Sequence, residues 1–213
     1  MKLLIILSNH YFDKKWCDNI ICLNDYMKNS GMEIDYCGIS NQNDFDIYES
    51  IIQFKYKIIN TKQQLSKICD FITEYKSQLD YDWYMKFRPD LKLFDTIDFN
   101  MLSENAINAR SRVYKGPKKI KYGMAINGEG VWKHVGDCRY HDNEHDIILD
   151  DMLYIFHRNV VEQGAFEKFP VSTNREHEWL HTNLFNERKI QLNVIGIHLS
   201  LTKYHAISGD INM

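Results

Sequence analysis

The sequence predicts a three-layer α/β/α fold with a mixed, mostly parallel sheet, and three observations lead there. Residues 3–7 are an unbroken apolar run, Leu-Leu-Ile-Ile-Leu, which suits a strand buried on both faces as in a parallel sheet. Residues 1–95 alternate strand-like and helix-like patterns, the order that builds βαβ units. A third run, Trp83–Phe87, is aromatic-rich and is cut off by Pro89, which cannot donate to a sheet ladder.

Lys2–Ser8 reads as the first strand. It runs into Ser8-Asn9-His10-Tyr11, polar and aromatic groups at the edge where such sheets bind ligands. From Lys14 to Asn29, Trp16, Ile20, Leu23 and Met27 recur at helical spacing, and Ser30-Gly31 supplies the stop. Met32–Ile39 and Phe54–Ile59 read as the next strands. Thr61-x-x-Gln64 has the form of a capping box and predicts a helix with Leu65, Ile68, Cys69, Ile72 and Leu79 on one face. Trp83–Phe87 follows and delivers Arg88 and Asp90 to the ligand edge. In the second half, Ala106–Tyr114 reads as strand. Ile147–His157 reads as strand, or strand entering helix, with Asp150 and Asp151 at its start. Thr173-Asn174 can cap a helix carrying Trp179, Leu180 and Leu184, and Gln191–Leu201 is a last apolar strand enclosing His198.

At 213 residues, 44% hydrophobic and 26% charged, the chain has the makings of one globular domain. A net charge of −3 argues against a general nucleic-acid or membrane-surface binder. No apolar run approaches the length of a membrane span, and the opening apolar run is too short for a secretion-signal core. The five cysteines are scattered, odd in number and free of any CxxC pair, which fits reduced thiols in a cytoplasmic setting. Neither GxxxxGK[ST] nor a strand-to-helix GxGxxG occurs, which argues against a P-loop NTPase or a Rossmann dehydrogenase, and bound phosphates would need another neutraliser.

Arg88 and Asp90 supply a candidate. A carboxylate there can hold a hard divalent ion while a guanidinium grips phosphate or sugar oxygens, although the same spacing also fits a pair closing a turn. Asp80-Tyr81-Asp82 has the literal form DxD but precedes its strand, which puts it at the wrong edge. The segment His141–Asp146 has metal-like chemistry without a ligand period, as a solvated loop would. His198 has two readings, a core histidine or a metal ligand from the last strand. Glu176 and Glu178 suit a helix N-terminus, and equally a general base. The basic group Arg110, Arg112, Lys115, Lys118, Lys119 and Lys121 reads as a solvated face or as a seat for an anion.

Taken together, these features resemble GT-A-type glycosyltransferases. Trp83–Leu91 is similar to the W-x-x-K-x-R-P-D-L form of small viral and bacterial members. Leu149–Tyr154 resembles their N-D-Q-hydrophobic segment, and Glu176–Leu184 their P-E-x-x-L helix without its proline. The likeness extends to chlorella-virus members that build capsid glycans as one domain of a longer chain. The resemblance implies a GT-A-like fold with a nucleotide-sugar-binding half over 1–95 and an acceptor-binding half over 96–213. It implies transfer of a hexose or 6-deoxyhexose such as rhamnose from a UDP-sugar to an oligosaccharide or glycoprotein acceptor. Ser8, Asn9, His10, Tyr11, Lys86, Arg88 and Asp90 would bind the donor. Asp90 and His198 would hold Mn²⁺ or Mg²⁺, Asp150 or Asp151 would hold sugar hydroxyls, and Glu178 would be the base. One departure stands out: Arg88 occupies the position of the usual first Asp of DxD. Two competing expectations are a metal-dependent phosphoesterase or nucleotidyl hydrolase, and a non-catalytic sugar-binding module.

Overall fold

A computed structural model of the chain describes residues 1–94, 96–115, 119–124, 145–167, 177–195, 199–201 and 206–207. The first half contains β1 (Lys2–Ser8), α1 (Cys17–Lys28), β2 (Glu33–Ser40), β3 (Phe54–Ile59), α2 (Gln64–Tyr75), β4 (Trp83–Phe87) and β5 (Leu91–Leu93). The second contains β6 (Ala106–Lys115), β7 (Lys119–Met124), β8 (His145–His157), α3 (Arg158–Glu162), α4 (His177–Glu187), β9 (Gln191–Val194), β10 (Leu199–Leu201) and β11 (Ala206–Ile207). The main sheet runs β3-β2-β1-β4-β8-β6-β7, with β9 pairing β6 as well. Neighbours among β1 to β4 are parallel, whereas β8 lies antiparallel to both β4 and β6. A small antiparallel sheet joins β5, β10 and β11.

β1 is the axis because its apolar run is buried from Leu3 to Leu7, and alternate residues serve opposite faces. Leu3, Ile5 and Leu7 pack with Ile20, Leu23 and Met27 of α1 and with Trp83, Met85 and Phe87 of β4. Leu4 and Ile6 pack on the other face with Leu65, Ile68 and Ile72 of α2 and with Leu184 and Phe185 of α4. The three layers expected from the sequence are therefore present. Gly31, at φ +73°, takes the left-handed conformation that ends the α1 segment.

Several local expectations need correction. Thr61 is not a helix cap: α2 starts at Gln64 behind an extended Gln63 that makes no capping bond. Asn60 organises the approach instead, accepting from Lys62 N at 2.9 Å and donating to Asp70 at 2.9 Å. Leu79 packs against the same core as the helix face but lies past α2, after a 3-10 turn. The last apolar strand is two strands in two sheets. Ile195 N still donates to Ala109 O at 2.9 Å, while Leu199 pairs with Leu93 across the small sheet. Asp150 and Asp151 lie well inside β8 and not at its start. Thr173, Asn174 and Glu176 lie outside the described residues.

Candidate functional site

The chain moves from β1 to β2 on one side and returns through β4 on the other, so the switch point where such sheets bind ligands lies beyond the carboxyl ends of β1 and β4. Asp80 and Asp82 lie at the opposite edge, as expected. There Asp82 accepts from Lys2 N at 2.8 Å, and Asp80 pairs with Arg158 at 3.2 Å.

The segment after β1 is strapped to its neighbours. Asn9 N donates to Ile39 O at 3.1 Å, and Asn41 N donates to His10 O at 3.0 Å. Buried Lys67 donates to Asn9 O and to Asn41 Oδ1, both at 2.6 Å. Burial lowers the Lys67 pKa to about 8. Ser8 is buried and its hydroxyl has no partner among the described residues, so it lies beneath the loop; His10 is exposed. Tyr11 is 45% exposed and stacks on buried Trp16, with ring centroids 5.3 Å apart and planes 26° off parallel. Lys15 reaches over both rings, 4.9 Å from the Trp16 centroid and 5.9 Å from that of Tyr11. The hydrogen bond that Lys15 donates to Asp13 raises the Lys15 pKa, with desolvation opposing and Tyr11 and Asp90 adding smaller upward contributions.

Arg88-Pro89-Asp90-Leu91 is a tight turn. Leu91 N donates to Arg88 O at 3.1 Å, and Asn19 of α1 donates to Pro89 O at 3.0 Å. The turn brings the two charged side chains together: Arg88 Nε donates to Asp90 Oδ1 at 3.1 Å and Nη2 to Oδ2 at 2.6 Å. Burial opposes the Arg88 charge, but Asp90, with Asp151 and Asp150 behind it, raises the pKa.

Asp150 and Asp151 reach this edge through an irregularity in β8. Ala109 pairs with Tyr154 and Ser111 with Leu149, so Arg110 alone on β6 faces the whole segment Asp150–Leu153. Such bulges re-aim side chains and are frequent beside active sites. Arg110 pairs with Asp150 at 3.1 Å, both fully buried, which removes Arg110 from the solvated basic face expected for it. Met152 N donates to Asp150 Oδ1 at 3.2 Å. Lys86, buried at the end of β4, donates to the Asp151 main-chain oxygen and faces the Tyr154 ring. Desolvation lowers its pKa to about 8, with Asp151 the first of the groups that oppose the fall. Thr182 of α4 accepts from Leu149 N at 2.9 Å, which ties the helix to the bulge. Glu178 lies one turn before Thr182 on α4, and its side chain is outside the described residues.

The structure thus draws Tyr11, Arg88, Asp90, Lys86, Asp150 and Asp151 toward one edge. Sequence reasoning missed Lys15, Asn19 and Thr182 and misread Arg110. A basic residue in a strand that must be buried on both sides was the available signal for Arg110.

A divalent cation was expected at Asp90 with His198. His198 lies outside the described residues, and the strand after it meets β5 with Leu199 opposite Leu93 and Leu201 opposite Leu91. At Asp90 the arrangement does not fit a cation. Both carboxylate oxygens accept from Arg88, and Lys15 and Lys86 are close enough to feel the same charge. Among the described residues no group of three or more His, Cys, Asp or Glu is gathered. Cys17, Cys22, Cys37 and Cys69 are free thiols, and no helix among the described residues is long and apolar enough to cross a membrane.

Neither family models nor curated proteins give a match to this sequence. Solved structures do. A putative glucose-1-phosphate thymidylyltransferase from Bacillus anthracis, solved with sucrose, is 12% identical with a TM-score of 0.53; the match covers 100% of this chain and 97% of that one. A Drosophila β-1,4-galactosyltransferase 7 mutant, solved with manganese, UDP-Gal and xylobiose, is 10% identical at a TM-score of 0.49, over 91% of this chain and 64% of that one. A glycosyltransferase involved in glycosylation of the major capsid of PBCV-1 is 7% identical at 0.46, over 92% and 83%. At 12% identity and a TM-score of 0.53, the first likeness shows the fold: a GT-A-like α/β domain with a mixed, mostly parallel sheet.

Proposed function

We propose that this chain is a nucleotide-sugar transferase that moves a hexose or 6-deoxyhexose from a UDP-sugar to a glycan acceptor, as one domain with a donor half over 1–95 and an acceptor half over 96–213. One observation carries the reading. At the edge shared by β1 and β4, an exposed ring backed by a second ring, two cationic side chains and a carboxylate-bearing bulge converge. Each part has a task in such a reaction. Tyr11 offers a face for the base, while Asn9 and His10 line the loop beside it. Arg88 and Lys15 offer positive charge to the diphosphate, where negative charge gathers as the glycosidic bond breaks. Of the two aspartates, Asp151 would orient sugar hydroxyls, Asp150 being buried against Arg110, and Glu178 on α4 would take the acceptor proton if the anomeric centre inverts. By analogy with the viral members it resembles, the acceptor would be a capsid glycan.

A thermal-shift panel of UDP-, GDP- and TDP-sugars, with and without Mn²⁺ or Mg²⁺, tests the reading. A single-site ligand at about 100 times its Kd adds about 2.7 kcal/mol. That corresponds to roughly 5–10 °C for a chain of this size. The expected result is a shift with UDP-sugars above the others. Hydrolysis of simple phosphoesters without nucleotide preference would support a phosphoesterase, and no shift with any nucleotide would leave a sugar-binding module. Glu178→Gln should keep the shift and lose roughly 10²–10⁴-fold in transfer rate, since the base acts only in the chemical step.

A further inference from the structure

We infer that the donor diphosphate is held by the Arg88 guanidinium, with Asp90 as the positioning residue that aims it, and not through a divalent cation on Asp90. The inference rests on the nucleotide-donor reading and names what neutralises that donor.

The geometry of the pair is the starting point. Arg88 and Asp90 meet through two parallel hydrogen bonds of 3.1 and 2.6 Å, with side-chain exposures of 26% and 14%. Two residues apart, they are forced together by the turn at Pro89, which Asn19 pins to α1. This fork-to-fork contact engages both Asp90 oxygens, so a cation there would share them with a guanidinium. It also leaves donors over. A guanidinium has five N–H groups, and Asp90 takes one from Nε and one from Nη2. The Nη1 pair and the second Nη2 hydrogen have no other partner among the described residues, on a side chain that is partly open to solvent. Three fixed donors on a planar cation match two or three phosphate oxygens.

The surroundings point the same way. Lys15 and Lys86 feel the Asp90 charge as Arg88 does, while Asp13 pairs with Lys15 and Asp150 and Asp151 act on Lys86 and Arg88 from behind the turn. A divalent ion entering there would compete with the Arg88 guanidinium for the same carboxylate. A diphosphate would meet the remaining N–H groups of Arg88 without displacing Asp90. Fixing Arg88 from behind also reduces the side-chain freedom lost when the anion binds.

The experiment is calorimetric titration of UDP into the full chain, once in EDTA and once with Mn²⁺. The expected result is binding in EDTA, with Kd changed by less than about twofold when Mn²⁺ is added. Arg88→Gln should weaken UDP by at least about tenfold in both buffers, and Arg88→Lys should fail to restore it because a lysine lacks the fork. Asp90→Asn should weaken UDP less than Arg88→Gln does, again equally in both buffers. UDP binding that requires Mn²⁺, and that Asp90→Asn abolishes, overturns the inference while leaving the nucleotide-donor reading intact. The absence of binding by UDP, GDP and TDP in either buffer overturns both. The comparison of buffers on the unmodified protein needs no variant to fold.

Discussion

Lys86 shows how one residue is set by its surroundings. It is wholly buried beneath the site, donates to the Asp151 carbonyl, and so braces the bulge that carries both aspartates. Desolvation lowers its pKa to about 8 from 10.5. Below pH 8 folded and unfolded chains both hold the proton, and the folded state bears the full cost of a buried charge. Between about pH 8 and 10.5 the unfolded chain binds the proton and the folded one does not, so the Lys86 contribution to stability rises with pH. Tyrosines and cysteines titrate in the same range, so the measurement is a difference. In urea unfolding, the wild type should gain on Lys86→Met across that window by up to ~3 kcal/mol. A flat difference would mean that Lys86 is solvated in the folded protein. Arg110 makes a related point, because a residue of a basic-looking stretch turns out to be the buried partner of Asp150.

At the scale of elements, two substitutions separate what a motif promises from what packing requires. Thr61→Ala should cost under about 0.5 kcal/mol, since Thr61 is exposed and caps nothing, where a true cap would cost about 1 kcal/mol. Gly38→Ala should cost about 1–3 kcal/mol through overpacking. Gly38 lies in β2 beneath two rings, and a Cβ there would come within 2.9 Å of both Phe45 and Phe54. Those rings form one cluster with Phe12 and Tyr48 directly under the loop after β1. Chemical denaturation of both variants checks the pair, and equal costs would contradict the packing argument. A shift of this cluster should also weaken nucleotide binding, because Phe12 follows Tyr11 in the same loop.

Across the whole molecule, the two halves share one sheet. β8, from the second half, pairs along the full length of β4, the last main-sheet strand of the first. The core on the α2 face mixes Leu4, Ile6 and Ile68 with Ile107, Tyr154 and Phe185. A fragment of residues 1–95 would expose the Trp83–Phe87 edge and lose half of that core, so it should be aggregation-prone and lack a cooperative transition. The intact chain should unfold in a single step, with tryptophan fluorescence and far-UV circular dichroism giving coincident curves. Separate transitions would show that the halves fold independently.

The sequence by itself determined the parallel half and its ligand edge. Apolar runs, helical spacing and the breaks at Gly31 and Pro89 are local signals, and local periodicity was enough to locate β1 to β4, α1 and α2. It also brought Arg88 and Asp90 to that edge, because two residues flanking a proline turn are neighbours in any fold. Only the tertiary structure decided what those residues meet. The Arg110–Asp150 pair, the bulge in β8, the approach of Lys15 to Asp90 and the division of the last strand between two sheets all join segments far apart in the chain. No local pattern encodes such contacts. They follow from which strand lies beside which, and the energy of a buried charge depends on the partner that the sheet order delivers to it.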